Sequence, residues 1–302
     1  MEKQRSNWLM LLLPALLWGC NDPEHCIDCE PVNFRVIDYE PAWSPDGKWI
    51  AFNHKSIDES GIYLISPDGE EIIKWHDSNP EAPAWSPDGK WIAFSDGAQI
   101  YKKKIDGDSL TQLTFKGKNF FPSWSPDGKW IVFDSWIPED MAFYGIVKID
   151  VYGNGGILLR YDIKEGDMRM PTWKDNSTII YARYSSSFYS TEIFSFDLNS
   201  EKESRLTFNE ADDYYPKYSN NKIAFTSILR IDKPDFGLWT MDDDGSNLRR
   251  IIETTAYSCN WSPDGKYIVF TDASAENGRL WIINSDGSNK RQLTFEHHFI
   301  KL

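Results

Sequence analysis

Positive charge is in short supply in this sequence: 32 Lys and Arg stand against 46 Asp and Glu, a formal net charge of −14 over 302 residues. The longest basic run is Lys102-Lys103-Lys104, and alternation along a strand sends such neighbours to opposite faces. A surface this acidic repels phosphate backbones and anionic headgroups, so nucleic-acid binding is disfavoured. Histidine is scarce too, with only His25, His54, His76, His297 and His298 present. A metal centre needs several such ligands converging on one point, so neither a metal nor any other cofactor is expected, and His54 and His76 read as solvated loop residues. Four cysteines occur, Cys20, Cys26, Cys29 and Cys259. The Cys26-x-x-Cys29 pair lacks the second pair of a zinc site; a local disulfide, or one from either of them to Cys259, both stay open. No Gly-x-Ser-x-Gly pentapeptide occurs, which removes the nucleophile elbow of the α/β-hydrolases. Long apolar runs are missing as well: Trp8 to Trp18, broken by Pro14, gives eleven residues where a membrane-spanning helix takes about 20.

That short stretch follows Lys3 and Arg5 and ends at Gly19-Cys20, the layout of a secretory leader. Leu17-Trp18-Gly19-Cys20 resembles a bacterial lipobox. The resemblance implies cleavage before Cys20, acylation of its thiol and an exported lipoprotein held at a membrane, the outer one by expectation, on its periplasmic or surface face. Each acyl CH₂ buried in the bilayer contributes about 0.8 kcal/mol. Residues 1–19 are then a leader, 20–31 a tether and 32–302 the folded domain. Removing Glu2, Lys3 and Arg5 with the leader takes the charge to −15.

What the sequence has in quantity is aromatic side chains and turn formers: 14 Trp, 14 Tyr, 17 Phe, 19 Gly and 16 Pro. They favour many short strands broken by tight turns. The chain also repeats itself. Residues 41–52 read PAWSPDGKWIAF and recur unchanged at 83–94, with two changes at 122–133, as CNWSPDGKYIVF at 259–270, and in eroded form from Pro171 and Pro216. The anchoring aromatics Trp43, Trp85, Trp124, Trp173, Tyr218 and Trp261 lie 42, 39, 49, 45 and 43 residues apart. A period near 40–45 residues, without helical periodicity, is that of a four-stranded propeller blade. In Ser-Pro-Asp-Gly, proline presets φ, Asp tolerates the next position and Gly takes the positive φ that follows, so the motif reverses the chain between two inner strands. A short apolar strand follows in each unit, such as Ile62–Ile65 or Leu280–Ile283, then a turn rich in Gly, Asp or Asn. A last strand ends in Leu-Thr-Phe at 113–115, 206–208 and 293–295. The expectation is an all-β, six-bladed β-propeller of four-stranded antiparallel blades, beginning near Asn33 and closed with help from 32–37 or 299–302.

These WSPDGKWIAF units resemble the WD-repeat-like family found in TolB, in the tricorn protease and in the propellers of prolyl oligopeptidase relatives. The resemblance covers roughly residues 31–302 and implies the fold; propellers host unrelated activities, so it implies little more. The domain that precedes the TolB propeller has no counterpart in the 20 residues between Cys20 and the first motif.

The repeated Asp46, Asp88, Asp127 and Asp264 are scattered around a ring by symmetry and read as turn residues, as does the run Asp242-Asp243-Asp244. Function is expected where the repeat is interrupted. The segments 118–121, 136–144, 167–170, 183–189, 212–215 and 228–236 should open on the rim opposite the Ser-Pro-Asp-Gly turns. They supply aromatic and arginine side chains of the kind that dominate interfaces: Trp136, Phe143, Tyr144, Arg169, Arg183, Tyr184, Tyr189, Tyr215 and Arg230. The expected role is non-catalytic: binding of a protein, peptide or glycan in the cell envelope. The rival is a propeller enzyme of polysaccharide lyase or glycosidase type, with acid/base carboxylates in the central funnel. Glu81, Glu165, Asp167, Glu210, Asp212 and Asp213 are available for that, but no spacing brings a chosen pair together.

Overall fold

A computed structural model describes residues 36–299 apart from 108, 137–142, 161–165, 186–189, 210, 229–235 and 275–276. Cys20, Cys26, Cys29, Tyr189 and Arg230 lie outside the described residues. Blade 1 is β1 (Val36–Trp43), β2 (Ile50–Ser56), β3 (Ser60–Ile65) and β4 (Ile72–Asp77). Blade 2 is β5 (Glu81–Trp85), β6 (Trp91–Asp96), β7 (Gln99–Lys104) and β8 (Thr111–Gln112). Blade 3 is β9 (Lys118–Trp124), β10 (Trp130–Trp136), β11 (Gly145–Asp150) and β12 (Ile157–Arg160). Blade 4 is β13 (Met168–Trp173), β14 (Thr178–Ser185), β15 (Ser190–Asp197) and β16 (Lys202–Arg205). Blade 5 is β17 (Asp212–Ser219), β18 (Lys222–Ile228), β19 (Gly237–Asp242) and β20 (Arg249–Ile252). Blade 6 is β21 (Ala256–Trp261), β22 (Tyr267–Asp272), β23 (Arg279–Asn284) and β24 (Arg291–Gln292). Each blade is an antiparallel meander contiguous in sequence, its first strand innermost.

A blade has no core of its own, since a single sheet is buried only by its neighbours. The second strands accordingly read as nearly unbroken apolar runs. Ile50, Ala51 and Phe52 are all fully buried, with Phe52 packed toward Val269 and Leu280 of blade 6 and Ala51 toward Ile92 and Phe94 of blade 2. Equivalent clusters fill the other four inter-blade spaces. Four indoles also latch each blade to the preceding one. Trp85, Trp124, Trp173 and Trp261 donate Nε1–H to the carbonyls of Ala42, Ala84, Ser123 and Lys217 at 3.0–3.2 Å. Trp43 makes no such bond, and its buried Nε1 has no partner among the described residues.

The ring closes between blades 6 and 1. The Asp38 amide donates to the Gly278 carbonyl (3.0 Å), the Glu40 amide to Ser258 Oγ (2.9 Å) and Arg279 Nη1 to Asp38 Oδ2 (3.0 Å). Ile37 bridges Gly278 in parallel, and the 3₁₀ turn Glu296–Phe299 lays Phe299 on His54 with ring centroids 3.8 Å apart. Both expected ends therefore take part in closure. His54 is not a solvated loop residue: it lies in β2, 2 % exposed, with Nδ1 2.7 Å from Asp38 Oδ1. His76 is half-buried in β4 against Phe94.

All Ser-Pro-Asp-Gly turns fall on one end, the turn rim. In the four that join first and second strands, the Ser hydroxyl donates to the Asp carboxylate (2.6–2.7 Å) and accepts the amide five residues on, so Asp46, Asp88, Asp127 and Asp264 are committed to turns; Ser66 and Asp68 do the same between β3 and β4. The connections between second and third strands, and those between blades, fall on the other end, the loop rim. Leu-Thr-Phe lies just beyond the fourth strand instead of ending it. Its Thr hydroxyl accepts the amide of the third strand (Ile100 to Thr114, Ile193 to Thr207, Leu280 to Thr294) where a ladder carbonyl would otherwise stand.

Candidate functional site

Two regions offer chemistry: the loop rim and the central channel. Three of the segments expected to be loops, 118–121, 167–170 and 212–215, are largely the beginnings of the inner strands β9, β13 and β17, because those strands start five or six residues before the motif's aromatic. Their side chains are drawn inward. Tyr215 is 5 % exposed, Arg169 6 %, and neither faces solvent. Arg169 reaches from blade 4 to ion-pair with buried Asp134 of blade 3 and lies 4.0 Å from the Tyr144 ring centroid. Tyr144 is itself buried, its amide donating to Asp167 Oδ1 (2.8 Å). Arg183 pairs with Glu203 (2.5 Å) and stacks on Phe194 at 3.8 Å. Of the described candidates, Tyr184 is exposed, while Trp136 and Phe143 are half-buried, with Lys118 Nζ 5.0 Å from the Trp136 ring. Tyr144, Arg169 and Tyr215 are thus cross-blade packing groups and Arg183 packs within blade 4; Trp136, Phe143 and Tyr184 reach the rim.

The rim holds apolar side chains that the sequence reading passed over. Phe115 is 75 % exposed, Phe208 72 % and Phe295 39 %, one at the end of every second blade, and Ile57 is 85 % exposed in the connection of blade 1. In each Leu-Thr-Phe the Leu is buried between blades and the Thr caps the ladder, so the Phe is left on the surface. The recurrence of that tripeptide in alternate units was the signal available.

The channel is crossed by side chains. In five blades the residue before the motif's proline sits in a bulge with left-handed φ: Glu40 (53°), Ala82 (52°), Phe121 (53°), Met170 (56°) and Tyr215 (54°). Each bulge interrupts the pairing of the inner strand with the second, and non-glycine residues hold such φ only when the surroundings enforce it. Tyr215 and Phe121 meet across the axis with centroids 5.8 Å apart; Tyr257 lies 5.1 Å from Tyr215 and 6.3 Å from Tyr39. With Met170 they form an axial cluster.

Beside it sits a carboxylate pair. Burial, and then the charge of Glu81, push Glu40 up to about 8, although its Oε2 accepts from Asn53 Nδ2 (2.7 Å) and the Ala82 amide (2.6 Å). Glu81, half-buried, is raised by burial against the opposing pull of Lys55 and Arg169. Asp213, raised to about 7 by burial, is held by Ser227 and Asn209. Among the described residues no group of three His, Cys, Asp or Glu is arranged to hold a metal. Cys259 is a free, buried thiol.

Contiguous four-stranded blades, indole latches and Ser-Asp turns define a six-bladed propeller built of WD-repeat-like units. A family profile described as the TolB beta propeller domain matches residues 29–186, more than half of the chain, and the chain belongs to that family. No curated protein matches it in sequence. Among solved structures it is similar to the protein assigned as TolB in Agrobacterium tumefaciens, at 24 % identity, TM-score 0.67, over 77 % of this chain and 87 % of that one. It is also similar to TolB from Acinetobacter baumannii, at 22 % identity, TM-score 0.68, over 88 % of this chain and 65 % of that one. Oligogalacturonate lyase from Vibrio parahaemolyticus shares the fold at 12 % identity, TM-score 0.58, over 87 % of this chain and 80 % of that one.

Proposed function

We propose that the protein is a non-catalytic envelope lipoprotein, exported by the leader 1–19, anchored through Cys20 and the tether 20–31, and binding a protein, peptide or glycan partner on its loop rim. The observation that carries this reading is the set of exposed apolar side chains Ile57, Phe115, Tyr184 and Phe208 on one rim. Exposed aromatics supply large contact area at low entropic cost and are among the residue types enriched where interfaces form. Trp136 and Phe143 extend the surface at blade 3. The chain begins β1 at this rim as well, so a tethered propeller presents it within reach of the membrane. Mature chain, residues 20–302, bearing Phe115→Ser, Tyr184→Ala and Phe208→Ser together is the test. A partner captured from the native envelope, or a glycan from a screen, should be lost from the triple variant while circular dichroism is unchanged; undiminished capture sinks the reading.

One observation favours the enzyme reading, the Glu40–Glu81 pair near the axis. A lyase or glycosidase needs two carboxyl groups reaching one substrate atom, whereas Glu40 is 8 % exposed and already engaged by Asn53 and Ala82. Turnover of a polysaccharide, abolished by Glu81→Gln, would establish the enzyme instead.

A further inference from the structure

On the turn rim, neighbouring turns pack directly on one another at two junctions. Between blades 1 and 2, and between blades 2 and 3, the proline of one turn packs on the glycine of the next: a Cβ placed on Gly89 would lie 3.4 Å from Pro45, and one on Gly128 3.9 Å from Pro87, whereas one on Gly47 would meet nothing within 4 Å. Blade 5 has lost the motif's proline and glycine and is two residues shorter. Ser219 pairs with Lys222 across a two-residue hairpin in which Asn220 (φ 49°) and Asn221 (φ 60°) are both left-handed, the turn that such a short connection selects. A cleft of about 320 Å³ opens between this hairpin and the intact turn of blade 6, at the small end of the ~300–1,000 Å³ typical of ligand sites.

Its lining is rich in groups that both donate and accept. Asn220 and Asn247 contribute amides, Ser219 and Thr240 hydroxyls, Arg249 a guanidinium and Asp264 a carboxylate. Several of these groups also have partners within the fold: Asn247 Nδ2 donates to Asp242 Oδ2 (2.6 Å), and Asp264 Oδ1 accepts from Ser262 Oγ (2.7 Å) and the Lys266 amide (3.1 Å). Lys222 holds Asp242 (2.7 Å), Lys266 holds Asp264 (3.0 Å), and Arg249 Nη2 donates to the Asp286 carbonyl (2.5 Å). Hydrogen bonds from Ser262 and Lys266 pull Asp264 down to about 2, so it stays ionised. A phosphate or carboxylate ligand would want donors alone and would face that carboxylate, and an apolar ligand would leave the amides and hydroxyls without partners. Adjacent ring hydroxyls, each a donor and an acceptor, match a lining that mixes the Asn220 amide, the remaining N–H groups of Arg249 and the hydroxyls of Ser219 and Thr240. At the floor, Trp261 has its Nε1 bound to Lys217 and offers an apolar wall.

We propose that this cleft is a saccharide subsite taking one neutral sugar unit or the end of a glycan, separate from the loop rim. It stands independently of the function proposed for that rim, on the opposite end of the ring. Calorimetric titration of the mature chain with glucose, galactose and N-acetylglucosamine, and with inorganic phosphate as the anionic arm, tests it. At least one sugar should bind, and Asn220→Gly, which suits the left-handed turn, and Arg249→Ala should each weaken it at least tenfold with the melting curve unchanged. Phe115→Ser with Phe208→Ser, on the other rim, should leave sugar affinity as it was. Absence of binding by all three sugars, binding that survives both cleft variants, or preference for phosphate overturns the proposal.

Discussion

The two rims of the ring are built from one repeat yet obey different rules. On the turn rim, serine and aspartate satisfy each other and the local backbone, Pro45 and Pro87 pack on the glycines of the next blades, and the repeated residues are spent on conformation. On the loop rim the same unit leaves phenylalanines in solvent and accommodates insertions in blades 3, 4 and 5. Even the cleft on the turn rim occurs where blade 5 departs from the repeat. Residues that recur between blades and in the turns hold the ring together, and residues that the unit leaves in solvent, whether repeated like Phe115 and Phe208 or inserted, are free to face a ligand.

The largest expected effect comes from a repeated residue. Phe52→Ala, emptying the space between blades 1 and 6, should cost about 3–5 kcal/mol, read as a lower urea midpoint, with affinity for a rim partner unchanged wherever the variant is folded. A loss of affinity at intact fold would break the division between the rims.

The channel tests it through pH. Glu40 titrates near 8 in the fold against 4.5 for the ordinary group. The folded state therefore keeps a proton that the unfolded chain releases, so the contribution of Glu40 to stability is fully present below about pH 4.5 and is lost as pH rises toward 8. Buried Asp213, raised to about 7, acts in the same direction. Glu40→Gln should flatten the stability profile between pH 5 and 8, and urea midpoints across that range check it.

A smaller effect is expected from one turn. Ser86→Ala removes the hydroxyl that donates to Asp88 and accepts from the Trp91 amide, and at about 0.5–1.5 kcal/mol per bond it should lower the midpoint without touching binding. Smallest in stability is Phe208→Ser, within about 0.5 kcal/mol, although it should weaken the rim partner. Opposite rankings for the two substitutions would sharpen the case against the rim.

Blade count, strand order and the turn role of the aspartates were legible because tight turns and apolar runs are local properties. The fate of Arg169, Arg183 and Tyr215 was not. The residue before a proline is ordinarily extended, and nothing in the Tyr215-Pro216 or Met170-Pro171 pairs announces a left-handed bulge that delivers side chains to the axis. The pairing of Glu40 with Glu81 depends on which strands share that axis, forty residues apart in sequence. Phe115 and Phe208 were visible as repeated letters, yet their exposure follows from where the fourth strand stops, and that is set when Thr114 and Thr207 take over a ladder position.

The division between the rims is tested most directly by hydrogen exchange of the mature chain with and without its captured partner. Protection confined to the loop rim, at 57–60, 113–118, 183–185 and 206–209, is the predicted result. Protection centred on the Ser-Pro-Asp-Gly turns at 44–48, 86–90 and 125–129, with the loop rim unchanged, would contradict it.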